Sequence, residues 1–113
     1  NDLLPARNFP AALRSGVKIA FGSDIGEGDH STEFRLMIAA GMSPLEALFA
    51  ATRNAADLIG AASDVGSIQP GRYADIVATK GDPLSSPAQF GKIDFVMKGG
   101  DIYRANGLPT SQP

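Results

Sequence analysis

Apolar positions along the chain fall into two regimes that meet at Gly60. Before it they recur at helical spacing around one short continuous run; after it they alternate or break at turn residues. Leu3, Leu4, Ala6, Phe9, Ala12 and Leu13 are spaced for a helix, but Pro5 and Pro10 argue against a single uninterrupted one. The pattern predicts a loop and then a helix over 8–15, stopped by Gly16. Val17, Ile19 and Phe21, with Lys18 and Ala20 between them, read as a strand (about 17–23) covered on both faces, as in parallel sheets. Gly22 and Ser23 let the backbone turn, and Asp24 stands just past the strand's carboxyl end. Phe34, Met37 and Ile38 share one face of a helix predicted over 31–40, with Glu33 in its first turn and Gly41 ending it. Ser43-Pro44-Leu45-Glu46 combines a capping box with proline at the first helical position, and predicts a helix over 44–59. Its expected stripe is Leu45, Leu48, Phe49, Thr52, Ala55, Ala56 and Ile59, with alanines at 47, 50, 51, 55 and 56 permitting close approach.

Past Gly60, Ile68-Gln69-Pro70-Gly71 reads as a type II turn and residues 74–79 as a strand broken by Lys80–Pro83. Ile93, Phe95 and Met97 alternate on another strand, which Gly99-Gly100 turns into Ile102-Tyr103-Arg104. The tail from Ala105 to Pro113 is polar and expected to fray. The sequence is therefore α/β, with a helix–strand–helix part over 1–60 and a strand-rich part over 61–113. Three or four strands make too small a sheet to stand without further cover, so the second part is expected to need partners.

Bulk properties narrow the function classes. With 113 residues, 43% hydrophobic and 19% charged, the chain sits among soluble globular proteins with one modest core. A net charge of −2 with no basic stripe argues against nucleic-acid or anionic-membrane binding. No apolar run approaches the roughly 20 residues of a bilayer span. No signal peptide is visible, which leaves a cytoplasmic protein as the expectation, and the start at Asn1 reads as the interior of something longer. Zero cysteines exclude thiolate zinc sites and disulfides.

Candidate chemistry concentrates in one loop. Asp24, Glu27, Asp29 and His30 fall within seven residues, punctuated by Gly26 and Gly28. Their spacing does not match a calcium loop. Asp24 lies where α/β folds gather reactive side chains, yet aspartate is equally at home as a turn or cap residue. Glu27 and Asp29 read as solvated, with Asp29 or Ser31 capping the next helix. His30 is the single histidine, and a hydrolytic zinc site takes about three protein ligands, so these residues cannot build a histidine-rich centre alone.

The order and spacing of several segments resemble a known family. These are Gly22-Ser23-Asp24, Ala40–Pro44, Glu46–Leu48, Ala51–Ala56, Leu58–Gly60, Gly66–Val77 and Gly81–Leu84. Over about residues 14–104 the chain resembles the C-terminal part of the metal-dependent amidohydrolases, nearest the imidazolonepropionase and prolidase-like branches. The resemblance implies a (β/α)₈ barrel with a small β-sandwich, Val17–Asp24 being the eighth barrel strand and residues 68–103 part of the sandwich. It implies hydrolysis of amide or other C–N bonds in a cyclic amide or dipeptide-like substrate. Asp24 then matches the aspartate that ligates a divalent metal, usually zinc, and serves as general base. His30 falls where some prolidase-like members carry a substrate-contacting histidine, although Ser31 follows it here where they have glycine. The family's other ligands, a His-x-His, a bridging lysine carboxylate or glutamate, and two later histidines, are not in this sequence. The expectation is a fragment that binds no metal and is inactive alone, and that self-associates or docks on the rest of a barrel. The alternative is a free-standing, non-catalytic α/β-plus-β module that docks on a partner chain.

Overall fold

The computed structural model describes residues 3–24 and 26–110, with side chains from Asn8 onward. Helix α1 runs Leu3–Arg14, α2 Thr32–Ala39, α3 Pro44–Ala51 and α4 Arg53–Leu58. Four strands follow, β1 Ile76–Thr79, β2 Ile93–Lys98, β3 Asp101–Ala105 and β4 Leu108–Pro109, with a 3₁₀ turn at Pro87–Gly91 before β2. The architecture is α/β: a helical half, then an antiparallel sheet in the order β1-β2-β3-β4. No helix among the described residues is long and apolar enough to cross a membrane.

Helix α1 continues through both prolines, which corrects the expected loop ahead of residue 8. Pro5 lies in the first turn, where an N–H has no intrahelical partner anyway, and Pro10 removes one bond only. The helix predicted over 44–59 is broken at Thr52, whose φ of −123° and ψ of −87° leave the helical region. The Thr52 hydroxyl donates back to the Leu48 carbonyl at 2.8 Å, a local bond that competes with continuing the ladder. At the start of α3 the capping box forms in full: Glu46 N–H donates to Ser43 Oγ at 3.1 Å, and Ser43 N–H to Glu46 Oε1 at 3.0 Å.

The core is small and lies between the helices. Met37, Met42, Ala47 and Ala50 are buried, with Phe9, Leu13, Ile19, Phe21, Phe34 and Ile38 packed around them. Ala47 and Ala50 are fully inaccessible, so close approach at small residues, more than the Leu45–Ile59 stripe, sets the packing of α3. Leu45 and Ile59 are in fact exposed. Phe34 links the halves: its ring lies 4.6 Å from that of Phe21 and stacks on Phe90 of the 3₁₀ turn at 4.1 Å, inclined by 3°.

The strand expected over 17–23 does not form; residues 17–24 belong to neither helix nor sheet. A strand exists by virtue of a neighbour to pair with, and the backbone of this stretch is tied to helices instead. Val17 N–H donates to Ala12 O at 3.0 Å and Phe21 N–H to Ala50 O at 2.9 Å. The side chain of Asn54 donates to Ile19 O at 3.0 Å.

In the sheet, Gly99 and Gly100 (φ 59° and 89°) make the two-residue turn between β2 and β3, a geometry that matches strand twist. The Pro70-Gly71 turn closes as expected, Arg72 N–H donating to Gln69 O at 3.3 Å with Gly71 at φ 87°. The expected fraying is corrected for residues 105–110. Asn106 and Gly107 (φ 53° and 75°) form a second two-residue hairpin that pairs β4 with β3. Thr110 N–H then donates to Tyr103 O at 3.0 Å. Residues 111–113 lie outside the described residues.

Candidate active-site loop

The loop from Gly22 to Ser31 joins the stretch after α1 to α2, so its start is set by Phe21 in the core and its end by the first turn of α2. Asp24 is exposed and left-handed, with φ 53°. For a residue with a Cβ this region costs about 1–2 kcal/mol, less for aspartate, whose short polar side chain tolerates it. Its carboxylate has no hydrogen bond or ion pair among the described residues.

His30 is exposed, yet both ring nitrogens are engaged. Nδ1 lies 2.6 Å from Ser23 Oγ and Nε2 lies 2.9 Å from Gly26 O. A carbonyl can only accept, so Nε2 carries the proton, and Nδ1 of the neutral ring accepts from the Ser23 hydroxyl. Sequence reasoning read Ser23 as a turn residue only. A serine and a histidine seven positions apart across glycines carry no periodic signal of a bond.

Asp29 Oδ1 accepts from Ser31 Oγ at 2.5 Å and Ser31 N–H at 3.0 Å. These bonds, the hydroxyl's first, hold the Asp29 carboxyl below the usual carboxylate range. Ser31 occupies the N-cap of α2 but makes no side-chain cap bond, because its hydroxyl is turned back to Asp29. Glu27 is exposed, in keeping with a solvated role.

Asp24, Asp29 and His30 do not converge. Among the described residues there is no group of three or more His, Cys, Asp or Glu side chains placed to hold a metal ion. By themselves, then, these residues do not fit a divalent metal. A recess of about 480 Å³ elsewhere is lined by Lys18, Arg53, Asp57 and Arg72 and includes no residue of the loop. Its cations are already committed: Lys18 to Asp57 at 2.8 Å, Arg53 over the Phe49 ring at 4.7 Å, and Arg72 to the Ala62 and Val65 carbonyls.

The pattern of the amidohydrolase family matches residues 6–103, most of the chain. The chain belongs to the amidohydrolase family. Its relatives include an imidazolonepropionase of Shouchella clausii, 36% identical over 89% of this chain and 25% of that protein. An ochratoxinase of Aspergillus niger is 34% identical over 88% of this chain and 22% of its own length. Among solved structures, a Xaa-Pro dipeptidase with methionine bound in its active site superposes with a TM-score of 0.85. It is 35% identical, over 88% of this chain and 25% of that one. This amidohydrolase chain thus spans about a quarter of the length of the relatives it matches.

Proposed function

We propose that residues 1–60 supply the last strand and helices of a (β/α)₈ barrel, and residues 61–113 the C-terminal strands of its β-sandwich. The intact protein is a hydrolase of carbon–nitrogen bonds in a small cyclic amide or dipeptide-like substrate. The observation that carries the reading is the match of nearly the whole chain to about a quarter of a dipeptidase structure. The chain's shape supports it: its Cα radius of gyration is 15.3 Å, against roughly 13 Å for a compact chain of this length. Residues 17–24, which carry the apolar Val17, Ile19 and Phe21 and make no ladder, are the segment that neighbouring barrel strands would pair.

In this reading Asp24 is the proton acceptor and one metal ligand. Its carboxylate takes a proton from the attacking water and returns it to the leaving nitrogen as the C–N bond breaks. A divalent metal, zinc on the family resemblance, supplies a water of lowered pKa in such hydrolases. Its remaining ligands come from outside these residues, so the 113-residue chain binds no stoichiometric metal and is inactive. His30 serves the loop, because neither ring nitrogen is left for a substrate.

The test is Asp24→Asn in a full-length protein carrying these residues, assayed on dipeptides and cyclic amides. A fall in kcat/KM of about 10²–10⁴-fold is expected. Undiminished turnover would refute the role.

A second reading, a docking module, is favoured by one feature. A recess of about 390 Å³ between α3–α4 and the open edge of β1 is lined by Leu48, Ile59, Ile68, Ile76 and Val77. The two readings part on whether the longer protein turns over substrate.

A further inference from the structure

We propose that His30 is a positioning residue whose ring staples Ser23 to Gly26 and thereby holds the Asp24 backbone left-handed between them. The proposal rests on the reading of Asp24 as proton acceptor. The two anchors flank Asp24 on either side, Ser23 through its hydroxyl at 2.6 Å and Gly26 through its carbonyl at 2.9 Å. Both attach to one planar ring, so the imidazole, and not a flexible chain, sets the span between them. Aspartate tolerates the left-handed region at a cost, and no bond of Asp24's own side chain among the described residues offsets it, which leaves the bonds on either side to hold the conformation.

The ring is itself held by a packed element. The His30 carbonyl accepts from Glu33 N–H at 3.2 Å in the first turn of α2. That helix is seated through buried Met37 and through Phe34, stacked on Phe90. Position is therefore passed from the core to α2, from α2 to the ring, and from the ring to Ser23 just before Asp24 and Gly26 two residues after it. Hydrogen bonding to a substrate would require the staple to open.

His30 is the chain's single histidine, so protein labelled with [¹⁵N]-histidine shows one pair of ring signals. Solid-state NMR reads them whether or not the chain associates. The expected spectrum has a protonated Nε2 and an Nδ1 displaced from its free-imidazole position by the serine bond. Ser23→Ala should return Nδ1 to that position, and Ser23→Thr, which keeps a hydroxyl, should not. In a second sample labelled with [¹³C,¹⁵N]-aspartate, the Asp24 backbone signals, assigned by their loss in Asp24→Asn, should move to the same place in Ser23→Ala and His30→Ala. The double variant should move them no further. An Nδ1 signal unmoved by Ser23→Ala, or Asp24 displacements that add in the double variant, would overturn the proposal. Undiminished activity of Asp24→Asn in the full-length enzyme would instead remove the catalytic reading and leave the ring result standing.

Discussion

The side-chain amide of Asn54, in α4, donates to the main-chain carbonyl of Ile19 at 3.0 Å, in the middle of the stretch that leads to Asp24. Two residues on, Phe21 N–H donates to Ala50 O of α3 at 2.9 Å. A carbonyl and an N–H of a segment without strand partners are thereby satisfied by helices, and the segment acquires a place relative to the core. Removing the amide leaves a half-buried carbonyl short of a partner. Asn54→Ala should lower unfolding free energy by about 1–2 kcal/mol, read from urea midpoints at constant slope. Amide exchange at residues 17–24 should quicken more than in β2 and β3. Equal acceleration everywhere would mean that the bond has no local role.

The first turn of α3 makes a second, independent prediction. Ser43→Ala should cost about 1 kcal/mol, because it orphans the Glu46 N–H and loosens the reciprocal bond. A thermal melt unchanged within error would refute the reciprocal cap.

Acid should destabilise the fold for a related reason. Glu46 is held below the usual carboxylate range by the Ser43 N–H and then its hydroxyl, and Asp29 by the Ser31 hydroxyl and then its N–H. Asp82 is lowered by the Leu84 N–H and then by the Ser85 hydroxyl. Each group binds its proton less readily in the folded state than in the unfolded one. The stabilisation is thus complete above the unfolded carboxylate range, roughly pH 4, and is lost as pH falls through the lowered folded values. Urea midpoints should hold between pH 5 and pH 7, by about the same linkage, and drop by pH 3. A flat profile to pH 3 would contradict it.

Gly66 and Gly71 offer a controlled pair. Both have positive φ, 100° and 87°. A Cβ on Gly66 would lie 2.8 Å from Ala56 Cβ and 3.2 Å from the Thr52 carbonyl, whereas one on Gly71 meets open space. Gly71→Ala should therefore carry the backbone penalty alone, about 1–2 kcal/mol. Gly66→Ala adds a clash with the α4 backbone and should cost about 1–3 kcal/mol more. Equal losses would show that the close approach to α4 does not matter.

The open edge of β1 and the apolar recess beside it should drive association of the isolated chain. Ile68 is 79% exposed, Ile59 75% and Val77 61%. Size-exclusion chromatography at low micromolar concentration should show a species larger than a monomer. Val77→Lys with Ile68→Lys should return it to monomer, since charge on an edge strand blocks edge-to-edge pairing. A wild-type monomer under those conditions would count against any docking role.

What could be read from residues alone was whatever is decided within a few positions. The Ser43–Glu46 box, the Phe34-Met37-Ile38 face, the Pro70-Gly71 turn and the Gly99-Gly100 hairpin all rest on bonds spanning four residues or fewer, or on a period the backbone imposes. Asn106-Gly107 carried the same kind of hairpin signal and was masked by the polar composition of the tail. Membership of the amidohydrolase family was legible as well, because a series of short segments in fixed order is itself sequence information. Tertiary structure decided the rest. Whether Val17–Phe21 becomes a strand depends on a neighbour that the stretch does not contain, and here Asn54 and Ala50 take that place. Which face of α3 is buried depends on how near Met37 and Met42 come, and that favours Ala47 and Ala50 over the larger leucines. The partnership of Ser23 with His30 needed the loop to close on itself. A hydrogen bond is made by position in space, and spacing along a glycine-broken loop does not determine position.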